Sequence, residues 1–246
     1  VTRRGHLGPF VRSRMRLLLL TVLKAAGTLA GTMDRPDRKT DDHPLPLVLA
    51  SASPRRRELL ERTGVPFTVV PSEAEEAPHE PGATPESTCL LNAGRKVEAV
   101  AAGLSYRAIV LGADTIVVVG GLVLGKPVDG IDACRMLSLL SGRSHRVMTG
   151  CVLMDTGTGE KVSFVTTTEV VFKTLEVDEV VGYVATGEPL DKAGGYGIQA
   201  RGAFLVSRVN GSYTNVVGLP LAEVLDALAE LGGPRPFGTE DFLAEP

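Results

Sequence analysis

The 246-residue chain is 43% apolar and 22% charged, with 28 Gly, 16 Pro and no Trp, a profile that fits a globular domain long enough to bury a substantial core. Its 26 basic and 29 acidic side chains leave a formal charge of −3, which excludes polyanion binding through the field of the whole molecule. Cys89, Cys134 and Cys151 are far apart and form no CxxC pair, so a disulfide scaffold and a zinc ribbon are excluded; they read as reduced core thiols of a cytoplasmic protein.

Charge is unevenly spread. Residues 1–46 balance at +5 and the other 200 at −8. Leu17 to Leu23, behind Arg12, Arg14 and Arg16, has the outline of a secretory signal, but the apolar run is short and Lys24 interrupts it. It also falls well below the roughly 18 apolar residues of a membrane span. The chain opens on Val, with Met15 and Met33 as alternative starts, so residues 1–46 read as a basic leader that is disordered or an artefact of start assignment. Residues 47–231 form the folded domain, and 232–246, with Pro234, Pro236 and Gly238, a flexible tail.

Leu47 to Ala50 predicts a buried strand leading through Ser51-Ala52-Ser53 into a helix, with Ser53 as N-cap, Pro54 in the first turn and Gly64 at the end. Phe67 to Val70 predicts a strand; an acidic, Pro-rich loop from Ser72 to Pro85 and a helix from Glu86 to Ala102 follow. Ala108 to Val119 is β-branched but interrupted by Gly112-Ala113-Asp114-Thr115, and Gly120-Gly121 turns it into a hairpin with Leu122 to Leu124. A helix from Ile131 to Leu140, a hairpin of 145–154 with 161–173, and a helix from Val177 to Ala185 come next. After the glycine-rich loop Asp191 to Gln199, a strand from Ala203 to Val209, an Asn210-Gly211 turn and a helix from Pro220 to Leu231 complete the domain. Hairpins among crossover helices predict an α/β fold with a mixed, twisted sheet flanked by helices.

Several polar residues stand out from this pattern. At Ser51 to Arg57 a strand feeds a helix N-terminus, whose free N–H groups favour an anion. Arg55 and Arg56 are assigned to that ligand and Arg57 to solvent or an ion pair, because helical neighbours point about 100° apart. The segment reads equally as a solvated basic turn. Asp114 interrupts an apolar strand, and an unpaired buried carboxylate costs several kcal/mol, so it needs a cation, a metal or a cleft. It suits a metal ligand or a general base, or else a turn between two short strands. Alternation sends Asp114 and Thr115 to opposite faces unless Gly112 permits a bulge. Taken singly, Glu75-Glu76 reads as solvated surface, Lys96 as a lysine reaching from an apolar helix to water, and Lys126 as a loop lysine. Gln199 offers an amide to a ligand held against a glycine-rich backbone. His145 opens a strand as an edge residue, and no G-x-G-x-x-G or G-x-x-x-x-G-K-[ST] pattern is present.

Five segments carry a resemblance: Leu49 to Arg56 (LASASPRR), Gly112 to Thr115 (GADT), Lys126-Pro127, Leu137 to Gly142 (LSLLSG) and Asp191 to Gln199 (DKAGGYGIQ). In this order they resemble the Maf family of nucleoside triphosphate pyrophosphatases, from about Leu47 to Leu231. The resemblance implies an elongated, two-lobed fold with a central cleft, akin to the inosine triphosphate pyrophosphatases and often homodimeric. It implies hydrolysis between the α and β phosphates with Mg²⁺ or Mn²⁺. Asp114 matches the family's proton-accepting aspartate, and Arg55, Thr115 and Gln199 match positions linked to the branch that hydrolyses dTTP and UTP. Ser51, Arg56, Lys96 and Lys126 match phosphate-facing positions, and Glu76 matches a carboxylate that holds metal together with Asp114. Val97 replaces the usual alanine, and Gly94 weakens the helix that carries Lys96. The expected partner is a nucleoside triphosphate, with no nucleic acid and no membrane. The alternatives are a non-catalytic nucleotide-binding regulator of cell division, and the same reaction on a modified purine nucleotide such as methylated GTP.

Overall fold

The computed structural model describes residues 44–236; the expectations for the leader before residue 44 and for the tail beyond 236 lie outside the described residues. In chain order the elements are β1 (Leu47–Leu49), α1 (Pro54–Glu61), β2 (Phe67–Val69), α2 (Pro85–Ala102), β3 (Ile109–Val119), β4 (Leu122–Leu124) and α3 (Gly130–Leu140). They continue with β5 (Ser144–Asp155), β6 (Lys161–Phe172), α4 (Val177–Ala185), three 3₁₀ turns (Glu188–Asp191, Ala193–Gly195, Arg201–Leu205), β7 (Val206–Asn210), α5 (Tyr213–Val217) and α6 (Leu221–Glu230).

The strands form one mixed sheet in the order β2-β1-β3-β5-β6-β7, with β4 on the free end of β3. β1 runs parallel to β2 and β3, and the remaining pairings are antiparallel. β1 covers β3 only over Ile109 to Leu111, and β4 covers only Val117 to Val119. Between them, from Gly112 to Ile116, β3 has a strand neighbour on the β5 side alone. This opening lies just past the carboxyl end of β1, where open α/β sheets place their ligands.

Period-two alternation divides the core between the two faces. Val110, Ile116 and Val118 of β3 join Cys89, Ala93, Val97 and Val100 of α2 on one face. On the other, Ile109, Leu111 and Ala113 pack with α1 and α6, while Val117 and Val119 pack with α3 and α4. Asp114 and Thr115 therefore fall at the junction between clusters, one on each face.

The strand expected from Ala203 begins only at Val206, after a 3₁₀ turn over Arg201–Leu205, and four further expectations change. β3 runs through Asp114 with unbroken register against β5, so Gly112 makes no bulge. Its role is to seat a helix: a Cβ there would lie 2.5 Å from Ala93 O, and one at Gly150, the partner of Asp114, would lie 2.7 Å from the Cys89 carbonyl carbon. Both glycines let α2 press onto the sheet, and α2 stays helical through Gly94. Ser53 has cap-like backbone angles but no side-chain cap bond; its N–H donates instead to Ser51 Oγ at 3.2 Å. The Asn210-Gly211 turn is followed by the five-residue helix α5, which the sequence reading did not separate. His145 is buried rather than an edge residue, with its ring edge-on to Phe172 and Tyr196 and Nε2 2.8 Å from Tyr196 Oη; burial brings its pKa down to about 4.

Candidate active site

On the α2 face, Asp114 is buried together with Lys96 and Asn92. Thr84 caps α2 by accepting from Ser87 N, and the helix buries a stripe of Cys89, Asn92, Ala93, Lys96, Val97 and Val100 at helical spacing. Lys96 rides in that stripe instead of reaching water, and its Nζ lies 2.8 Å from Asp114 Oδ1 and 2.8 Å from Glu76 Oε1. A lysine this deep needs paired anions to offset its desolvation, and two are present. Lys126, from the loop after β4, reaches Glu76 Oε2 at 3.2 Å. Burial alone would raise the Glu76 pKa, but the Lys96 hydrogen bond and charge, aided by Lys126, outweigh it and bring the value down to about 2. Glu76 is thus an anion near neutral pH that keeps the exposure expected of it and is also bound to two lysines.

On the opposite face, Arg56 is placed by the first turn of α1. Its Nε donates to Gly218 O at 2.8 Å, Nη1 to Ser51 Oγ at 3.3 Å and Nη2 to Thr115 Oγ1 at 3.2 Å. Thr115 Oγ1 lies 2.9 Å from Thr149 Oγ1 on β5. These partners are all neutral oxygens, which orient the guanidinium without cancelling its charge. Burial lowers the Arg56 pKa, and the negative charges of Asp114 and Glu76 act against that loss. Two of its five N–H groups remain for a ligand.

Arg55 behaves differently. Its Nη1 pairs with Asp191 Oδ2 at 2.8 Å, tying the start of α1 to the glycine-rich loop, while Arg57 pairs with Glu61 along α1. Lys192 Nζ holds the same loop through Glu188 O and Asp191 Oδ1, each at 2.6 Å. Gln199 is half-buried at the end of this loop, and its amide has no hydrogen-bond partner among the described residues. Gly194 has φ +70°, and a Cβ there would press on Val117 at 2.9 Å, so the loop lies flat against β3 only because that residue is glycine.

Three contributors escaped the sequence reading. Asn92 bonds Asp114 and the Ala77 backbone. The Glu188 carboxylate accepts from Tyr183 Oη and from the N–H groups of Arg201 and Gly202, bracing the chain just after Gln199. The carbonyl of Gly218 receives Arg56. Asn92 had a detectable signal, since it is a polar residue on the apolar stripe of α2; the other two depend on distant partners.

Among the described residues no group of three or more His, Cys, Asp and Glu side chains forms a closed metal cage. Glu76 and Asp114 instead supply two carboxylates that meet at one ammonium. That is the donor set of a hard cation completing its shell with phosphate oxygens and water. No helix among the described residues is long and apolar enough to cross a membrane.

The chain has relatives that are similar over most of its length. The chain is 53% identical over 189 residues to a dTTP/UTP pyrophosphatase from Moorella thermoacetica, covering 76% of this chain and 95% of that one. It is 46% identical over 209 residues to a dTTP/UTP pyrophosphatase from Syntrophotalea carbinolica, covering 85% and 94%. A HAM1 protein from Coxiella burnetii superposes only loosely, with a TM-score of 0.42 and 16% identity over 76% of this chain and 99% of that chain. The family model described as Maf-like protein matches residues 46–231, which takes in every side chain of the site, and the chain belongs to the Maf family.

Proposed function

We propose that this protein is a nucleoside triphosphate pyrophosphatase that hydrolyses dTTP and UTP to the monophosphate and pyrophosphate. The observation that carries the reading is Arg56, a guanidinium fixed by neutral oxygens, one of them on Thr115, the chain neighbour of the buried Asp114. An uncancelled cation one strand residue away from a buried carboxylate suits a ligand that is itself anionic and must meet a base, as a polyphosphate attacked by water does. The 46–53% identity to relatives named dTTP/UTP pyrophosphatase supports the same substrate class.

In this reading Ser51 and Arg56 receive phosphate oxygens at the opening beside β3, and Lys126 and Lys96 can exchange carboxylate partners for phosphate. Charge that grows on the phosphate in the transition state then meets cations already oriented, without a reorganisation cost. Asp114 accepts the proton of the attacking water. Glu76, ionised throughout the neutral range, holds the Lys96 ammonium in place through its hydrogen bond. Glu76 and Asp114 would hold Mg²⁺ or Mn²⁺, which when bound supplies neutralising charge to the phosphates. Gln199 can pair with the edge of uracil or thymine through two hydrogen bonds, with Arg55 and Thr115 shaping the same end of the ligand. The protein is a homodimer, as the resemblance implies, in the cytoplasmic setting that its reduced cysteines imply; molecular mass in solution checks the first.

The test is pyrophosphate release with Mg²⁺ from a panel of dTTP, UTP, CTP, GTP and methylated GTP. dTTP and UTP are expected to be turned over fastest. Preference for a purine nucleotide would overturn the base assignment, and binding of dTTP without turnover would favour a non-catalytic regulator.

A further inference from the structure

Glu76 sits on the irregular stretch 70–84, between β2 and α2. Such a segment has no ladder of backbone bonds, so a charged side chain on it keeps its place only through side-chain anchors. Asn92 supplies one. Its Oδ1 accepts from Ala77 N at 2.7 Å, and its Nδ2 donates to Ala77 O at 3.1 Å and to Asp114 Oδ2 at 3.2 Å. Ala77 is the residue directly after Glu76. The amide is 4% exposed, so water cannot take over these bonds without the loop moving. The pairing with Ala77 also fixes the amide's orientation, because oxygen must face the N–H and nitrogen the carbonyl. Nitrogen is then the atom presented to Asp114. Leucine would offer neither bond, and aspartate would offer acceptors where two donors are needed.

We propose that Asn92 is a positioning residue: it locks the Glu76 loop to Asp114, so that the two carboxylates, supplied by distant parts of the chain, keep one fixed relation. The inference rests on the function proposed above and adds a residue to it.

The experiment compares the full-length protein with Asn92→Leu, Asn92→Asp and Asp114→Asn, following dTTP hydrolysis with Mg²⁺ at pH 8 and measuring the melting temperature of each. Asn92→Leu is expected to lower kcat by about 10–100-fold, as removing the partner of a metal-site carboxylate commonly does. The dTTP KM should stay within about threefold, because contacts to the nucleotide are untouched. Asn92→Asp nearly preserves size but sets a carboxylate against Asp114, so its kcat is expected to fall below that of Asn92→Leu, and the buried like charges are expected to lower its melting temperature. If the side chain only fills space, the order of the two variants reverses, and that result overturns the proposal. So does a kcat within about twofold of wild type in either variant while Asp114→Asn is inactive. Should Asp114→Asn itself keep wild-type turnover, the failure belongs to the proposed function and not to the tether.

Discussion

Asp114 and Thr115 are neighbours in the chain, yet they organise two different kinds of site. On the Asp114 side every charge already has an opposite charge: Lys96 lies between Asp114 and Glu76, and Lys126 leans on Glu76. On the Thr115 side a guanidinium is held by Ser51, Thr115 and the Gly218 carbonyl, none of them charged. The first arrangement pairs the buried Asp114 and the more exposed Glu76 with lysines, so that mutual attraction offsets the desolvation of Asp114 and Lys96. The second keeps a cation aimed and unspent. A single β-strand separates them by the simplest available means, the opposite directions of consecutive side chains.

The largest break in this contrast comes from Asp114→Asn, which keeps the shape but exchanges one of the two accepting oxygens for a donor and removes the base. Pyrophosphate release should fall by about 10²–10⁴-fold while the fold is retained. Arg56→Ala removes the aimed cation, and kcat/KM should drop by about 10²–10³-fold, close to the cost of deleting a preorganised donor to a transition-state oxyanion. Thr115→Val leaves the guanidinium in place but takes away one of its three holds, for a loss near tenfold in kcat/KM, with Thr115→Ser close to wild type. The smallest effect on turnover is expected at His145, whose side chain bonds Tyr196 and none of the residues assigned to the ligand. Its folded pKa lies below its unfolded value, so the unfolded chain takes up the proton first. Stability is therefore constant above pH 6.5 and declines as pH falls toward about 4. The loss approaches about 3 kcal/mol across that window. Thermal melts between pH 7.5 and 4.5 would reveal it, and His145→Phe should flatten the profile without changing activity at neutral pH.

Most elements could be placed from sequence because local chemistry punctuates them. Pro54 and Pro85 start helices, Gly120 and Gly121 both adopt the positive φ that a tight hairpin needs, and Val177–Ala185 has the boundaries its pattern predicts. What the sequence hid is long-range. A carboxylate inside β3 suggests a break until α2 delivers Lys96 and Asn92 to it, and Gly112 suggests a bulge until Ala93 is found lying against it. The five residues of α5 are too few to show a helical period, although Ser212 caps them through Asn215 N. His145 looks like an edge residue because its burial comes from Tyr196, 51 positions away. In the site the matched residues were legible by type, but the tethers of Asn92 and Glu188 were not, since hydrogen bonds to backbone leave no residue-type signature at the partner.

The most direct test of the account is a crystal structure of the Asp114→Asn variant with dTTP and Mg²⁺. The account predicts one nucleotide spanning the opening beside β3, with phosphate oxygens on Arg56, the metal at Glu76 and the thymine against Gln199. A nucleotide bound on another surface, or one that touches Arg56 while residue 114 and Glu76 remain out of reach, would contradict it.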